Sequence, residues 1–167
     1  MSESIKKVSE KGIAYLIERE GGMILIVHDD GFGFPTVGVG HLVLPEDNLK
    51  IGDKITIERG NKLLQGDLMI SREAVERCVK PELSQAEFDA LCIWVFNIGI
   101  GNFKNSTLLK RLNTDEDKNQ VVKDELPKWR RVGGEIVNGL YNRRIDTVQM
   151  FVDGDYTVDW SGLEGQV

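Results

Sequence analysis

The chain is 167 residues long and 18.8 kDa, a size that holds one domain or two small lobes. Leu, Ile, Val and Phe make up 52 of its residues, well above the roughly 20% below which a chain cannot fill a core, so a folded protein is expected. A net charge of −6 and a pI near 5.0 exclude nucleic acid as an expected partner, because phosphate binding needs clustered Lys and Arg. The longest apolar run, residues 90–96, is far short of the ~20 residues that cross a bilayer, which excludes stable membrane insertion.

In chain order, Ile5, Val8, Ile13, Leu16 and Ile17 form one helical stripe over residues 5–20, with Ser4 as N-cap and Gly21 and Gly22 as the stop. The period then changes. Residues 23–27 form a β-branched apolar run, residues 29–35 a turn cluster and residues 36–39 a second extended stretch, which together predict a β-hairpin with a long turn. Residues 42–55 are loop-like, with a third short strand near 54–57. From residue 58 the pattern is helical and carries Leu63, Leu64, Leu68, Val75 and Val79 to a stop at Pro81, although Gly60 and Gly66 weaken it.

Ser84 and Glu87 form a capping box for the next helix, where Phe88, Leu91, Cys92 and Val95 recur at helical spacing until Gly99 and Gly101. Further helices are predicted over 106–112, 115–126 and 140–152, separated by Pro127, by Gly133 and Gly134, and by Asn138 and Gly139. The fold class is therefore α+β within a single domain spanning 1–167. A hairpin lobe covers about 21–57, and a larger helical lobe covers about 58–153 together with the N-terminal helix. The crease between such lobes is a usual place for a ligand cleft. Two cysteines, Cys78 and Cys92, and two histidines make neither a disulfide framework nor a zinc site, so both cysteines are read as small core residues and no metal is expected. Met1, Ser2, Glu3 and Ser4 include an acid and no apolar stretch, so no signal peptide is read and release into the cytoplasm is expected.

Among residues suited to chemistry, Glu20 follows Ile13, Leu16 and Ile17 at helical spacing and so falls on the apolar face of the first helix. There a carboxyl would be partly desolvated and its pKa raised, as a general acid near neutrality requires. The alternative is a solvated carboxylate in a frayed last turn. Asp29 and Asp30 stand at the mouth of the hairpin turn, where Asp ordinarily caps local N–H groups. A carboxyl at the helix end and another on the hairpin form the pair that glycosidic hydrolysis needs, one protonating the leaving oxygen and the other handling water or the sugar cation. Thr36 offers a hydroxyl able to hold a water in line.

Glu20-Gly21, Asp29 and Thr36-Val37-Gly38-Val39-Gly40-His41 resemble the catalytic segment of phage-type lysozymes, the muramidases of glycoside hydrolase family 24. Leu63-Leu64-Gln65-Gly66-Asp67-Leu68, the stretch from Phe96 through Phe103 with Ser106-Thr107-Leu108-Leu109, and Trp129, Gly133-Gly134, Gly139-Leu140 and Arg143-Arg144 extend the resemblance over residues 13–152. It implies a lysozyme-like fold with the active-site cleft between its lobes, Glu20 as general acid, Asp29 as the carboxylate that activates or positions water, and Thr36 as the water-orienting hydroxyl. By the same resemblance Arg143 pairs with Glu20, and His41 hydrogen-bonds Asp67 as a tie between lobes. Asn97 either touches the sugar or is a buried amide that satisfies backbone groups.

One departure from the family pattern lies between Glu20 and Thr36, which enclose one residue more than usual. Asp29 keeps the family spacing from the acid and Asp30 keeps the spacing to the threonine. A turn accommodates an extra residue more readily than a strand, where a one-residue slip reverses every side chain, so the expectation is Asp29, with Asp30 as the alternative carboxylate. The implied activity is hydrolysis of the β-1,4 bond between N-acetylmuramic acid and N-acetylglucosamine in peptidoglycan, without metal or cofactor. The implied protein is a monomeric endolysin that reaches the wall once a holin opens the membrane. The alternative is a peptidoglycan-binding or scaffold module that keeps the fold without turnover. The glycines at 31, 33, 38 and 40 do not make a nucleotide fingerprint, and the pairs Arg130-Arg131 and Arg143-Arg144 are read as solvated helix faces or contacts to muropeptide carboxylates.

Overall fold

A computed structural model describes residues 5–157. The chain divides into two compact units, one formed by residues 13–69 and the other by the described residues before and after that span.

The first unit holds the end of helix α1 (Glu10–Arg19), a three-stranded antiparallel sheet and helix α2 (Ile57–Asp67). Strands β1 (Ile24–Asp29), β2 (Pro35–Gly38) and β3 (His41–Leu42) lie side by side in chain order. The predicted hairpin is present, and the two-residue β3 is an addition to it. The pairing of β3 with Thr36 and Val37 follows a tight turn that no apolar run announces.

Strand β1 is irregular inside its length. Ile24 faces Gly38 and His28 faces Thr36, so three residues intervene on β1 where only Val37 intervenes on β2. Those three residues bond on their other side: Val27 N–H donates to Asp53 O at 2.8 Å, Gly52 N–H to Val27 O at 2.9 Å and Ile55 N–H to Leu25 O at 2.8 Å, with an antiparallel bridge between Ile26 and Lys54. This is the third short stretch expected near 54–57, begun a few residues early. The surplus on β1 is even, so face alternation survives. Val27 stays inward and packs with Val37 and Ile55 under Leu25, Val43, Leu49 and Leu63.

Thr56 caps α2 by accepting from Arg59 N–H. Gly60, a weak helix former, sits where α2 meets Met23, and a Cβ there would lie 2.3 Å from the Met23 sulfur. The glycine leaves the room that the Met23 thioether occupies. The single helical segment expected from 58 to 81 is in fact two helices, α2 and α3 (Met69–Cys78), broken at the buried Leu68. Gly66 lowers helix propensity just before the break.

In the second unit, α4 (Gln85–Ile98) is buried over Phe88 to Val95 and packs against α8 (Asn138–Asp153). The capping box forms as predicted: Glu87 N–H donates to Ser84 Oγ at 3.1 Å and Ser84 N–H to Glu87 Oε1 at 2.8 Å. Gly99, at φ +88°, ends α4. Gly101 does not act as a break and lies inside the short α5 (Ile100–Lys104). Helix α6 (Thr107–Leu112) starts at the cap Ser106. Helix α7 (Lys118–Glu125) starts at the cap Asp117 and runs into a 3-10 turn at Leu126–Lys128. Gly133 and Gly134 turn a minimal hairpin, β4 (Arg131–Val132) with β5 (Glu135–Ile136). Buried Trp94 meets Phe103 and Trp129 edge to face at 5.9 and 5.6 Å between ring centroids.

The first helix begins five residues later than its stripe predicts. The Arg72 guanidinium grips the carbonyls of Ile5 and Lys6, Glu76 accepts from Lys6 N–H, and Gln85 donates to Lys7 O. With its backbone groups taken by α3 and α4 side chains, the 5–9 segment has no need of helical bonds. Ser9 is the cap, its Oγ accepting from Gly12 N–H at 3.2 Å. Ser4, the expected cap, lies outside the described residues.

Candidate active site

Glu20 comes immediately after the last residue of α1. Its N–H still donates to Leu16 O at 2.9 Å, and Gly21 and Gly22, at φ +87° and +101°, turn the chain away. The carboxyl is exposed. The expectation that it is desolvated on an apolar helix face is corrected, because the helix ends one residue before Glu20 and its periodicity no longer dictates where the side chain goes.

Asp29 closes β1 opposite Pro35, and Asp30 opens the turn. Asp29 Oδ1 accepts from Gly31 N–H at 2.7 Å and Gly33 N–H at 3.1 Å. Asp30 Oδ1 accepts from Phe32 N–H at 2.7 Å and Phe34 N–H at 3.2 Å. The two carboxylates thus hold the same turn through alternate amides, and both are exposed. Thr36, half-buried on β2 opposite His28, donates its hydroxyl to His28 O at 3.3 Å. That bond uses the hydroxyl proton and leaves the oxygen's lone pairs to accept from a water.

His41 is buried on β3 between two carboxylates. Nδ1 lies 2.9 Å from both oxygens of Asp67 on α2, and Nε2 lies 2.8 Å from Asp47 Oδ2. Carboxylates only accept, so both contacts are satisfied when both ring nitrogens carry hydrogen. Burial opposes the charged imidazolium, but the hydrogen bonds to Asp47 and then Asp67, with their charges, outweigh it and raise the His41 pKa. Burial likewise opposes ionisation of Asp47, yet bonds from His41 and Leu44 N–H and the nearby Arg59 hold its pKa below the usual value. His41 and Asp67 both belong to the 13–69 unit, so their bond ties β3 to α2 inside that unit and is not a tie between lobes. Asp47 escaped the sequence reading. Its signal is local: it follows Pro45 by two residues and bonds back to Leu44 N–H at 2.7 Å.

Asn97 and Arg143 belong to the other unit. Asn97 is exposed near the end of α4, and its Oδ1 accepts from the Arg144 guanidinium at 2.5 Å. The reading of Asn97 as a buried amide serving backbone groups is therefore corrected. Arg144 is only 2% exposed and also donates to Trp129 O at 2.9 Å, so it is not part of a solvated face. Asn97, Trp129, Arg131, Leu140 and Arg144 are among the residues lining a cavity of about 290 Å³. Arg143 is half-buried on α8, and its carbonyl accepts from Thr147 Oγ1 at 2.8 Å. Cys92 is buried, which pushes its thiol pKa up. Among the described residues no group of three or more His, Cys, Asp or Glu is placed to hold a metal ion, and no helix is long and apolar enough to cross a membrane.

Residues 18–147, a span holding every candidate residue above, match the phage lysozyme family. The endolysin of Salmonella phage P22 is 38% identical over 129 residues, 76% of this chain and 86% of its own length. Among solved structures, the endolysin from Escherichia coli O157:H7 phage FAHEc1 superposes with a TM-score of 0.76 at 31% identity, covering 93% of this chain and 99% of that one. A point variant of P22 lysozyme gives 0.78 at 31% identity, covering 89% and 99%.

Proposed function

The chain belongs to the phage lysozyme family, and on that footing we propose that it is an endolysin of muramidase specificity, cleaving the β-1,4 bond between N-acetylmuramic acid and N-acetylglucosamine. As a lysozyme it is a hydrolase of peptidoglycan. Glu20 is the general acid that protonates the leaving glycosidic oxygen, and Asp29 accepts a proton from, or positions, the water that adds to the anomeric carbon. Thr36 orients that water. The observation that carries the reading is the Thr36 hydroxyl bond to His28 O, next to Asp29 on β1. It presents a fixed acceptor beside a carboxylate whose Oδ1 is committed to the turn and whose Oδ2 has no donor among the described residues. Asp30 is locked in the same way and is the alternative for the same role. In this reading the protein works as a monomer and meets the wall after a holin has opened the membrane.

The test is hydrolysis of purified peptidoglycan by wild type and Glu20→Gln, with the new reducing ends identified after borohydride reduction. Wild type should generate reducing N-acetylmuramic acid. Glu20→Gln should lose about 100-fold or more of the rate, the loss expected for a general acid, with an unchanged melting temperature. Reducing N-acetylglucosamine ends would overturn the bond assignment, and a fully active Glu20→Gln the acid.

A further inference from the structure

Phe32 and Phe34 stand at the tip of the β1–β2 turn, 84% and 55% exposed. Phe32 is the most exposed large apolar side chain among the described residues. A bare phenyl ring in water forfeits the burial energy for which such residues are normally placed inside. The tip beneath the rings is nevertheless tightly built. Asp29 takes the amides of Gly31 and Gly33, Asp30 takes those of Phe32 and Phe34, and Asp30 N–H closes the loop onto Phe34 O at 3.0 Å. Gly31 and Gly33 sit at φ +93° and +90° with open space around them. The hydrogen-bonded turn fixes the backbone that carries both rings before any ligand arrives, which removes part of the entropic cost of binding.

The surrounding charge narrows what can cover them. Two exposed carboxylates share the tip and would repel anionic lipid headgroups or phosphates. A neutral pyranose suits both features: its C–H face packs on an aromatic ring, while its hydroxyl and acetamido N–H groups donate to carboxylate oxygens. Resting on the muramidase reading above, we propose that Phe32 and Phe34 form an aromatic platform that holds a sugar ring of the glycan strand beside the residues that cleave it. The same tip then serves two purposes. Its aspartates face the chemistry and its phenylalanines hold a neighbouring saccharide, so they set how long a glycan must be to bind well.

The experiment measures kcat and KM separately on glycan strands freed of stem peptides by an amidase, for wild type, Phe32→Ala/Phe34→Ala and Phe32→Trp. The double alanine variant should raise KM about tenfold, as two contacts of aromatic-stacking strength imply. It should leave kcat nearly unchanged, the signature of lost ground-state binding. Phe32→Trp should keep the wild-type KM. Both variants should melt as wild type does, since the rings are exposed. A wild-type KM in the double alanine variant overturns the platform. Sedimentation with phosphatidylethanolamine–phosphatidylglycerol vesicles is run in parallel, and vesicle binding lost in that variant with an unaltered KM would replace the sugar with a membrane. A wild type that releases no glycosidic product would bring down the muramidase reading and this proposal together, whereas an active wild type beside an unaffected variant removes the platform alone.

Discussion

His41 Nδ1 lies 2.9 Å from both carboxylate oxygens of Asp67, while the opposite ring nitrogen is held by Asp47. This clasp joins β3, the 3-10 turn at Pro45–Asp47 and α2, and its strength follows the protonation of the ring.

The His41 pKa is raised from 6.5 in the folded protein, so its contribution to stability is fully present below about pH 6.5 and is lost as pH rises through the higher folded value. Asp47 is lowered from 3.8, so its contribution is present above about pH 3.8 and is lost as pH falls through the lower folded value. The melting-temperature gap between wild type and His41→Asn should therefore be widest between about pH 4 and 6.5 and should shrink above neutrality. Thermal melts from pH 4 to 9 measure it. A gap that is flat with pH would mean that the ring stays neutral.

Asp29→Asn and Asp30→Asn separate the two candidate carboxylates. Each amide keeps an oxygen to accept from the turn N–H groups, so both variants should fold. Asp29→Asn should lose most of the lytic rate because an amide cannot take a proton from water, while Asp30→Asn should stay within a few-fold of wild type. Severe loss in Asp30→Asn alone would reverse the assignment and keep the mechanism. Wild-type rates in both would remove the second carboxylate from it.

Gly60→Ala should destabilise the protein by about 1 kcal/mol, because the new Cβ would meet the Met23 sulfur at 2.3 Å and overpacking outweighs the gain in helix propensity. With Met23→Ala in place the same change should stabilise by about 1 kcal/mol, since propensity then acts alone. Urea denaturation of the four proteins in the cycle tests the reversal of sign. A cost that persists without Met23 would put the clash elsewhere.

Tyr156→Phe should cost about 1–2 kcal/mol. Its hydroxyl donates to the buried Asp89 carboxyl at 2.6 Å, which also accepts from Ser9 N–H at 3.0 Å, from Ser9 Oγ and from the Gln85 amide at 2.7 Å. Asp89→Ala should cost more, because it leaves all of those donors without their acceptor in a dry site. Equal stability of Tyr156→Phe and wild type in denaturant melts would show that the hydroxyl is exchanged for water at no loss.

Features that depend on residues a few positions apart were legible from spacing alone. Ser84 with Glu87, the stops at Gly21, Gly22 and Gly99, and the hairpin around the 29–35 turn follow from backbone chemistry within one turn of chain. The candidate residues Glu20, Asp29 and Thr36 were named through the resemblance of one short stretch of sequence to phage-type lysozymes, whereas the helical spacing that set Glu20 on an apolar face did not hold, because the helix ends at Arg19. Tertiary structure decided matters in which a distant group competes for the same atoms. Arg72, Glu76 and Gln85 take backbone groups of Ile5, Lys6 and Lys7, and so the helix begins only at Glu10 despite the apolar stripe. The 52–55 segment bonds the far edge of β1 and draws out an irregularity that hydrophobic alternation hides. The exposed Asn97 amide oxygen accepts from the guanidinium of Arg144, 47 positions away. In each case two donor or acceptor groups far apart in the chain satisfy one another once folding has brought them together, and no local pattern encodes which of them will meet.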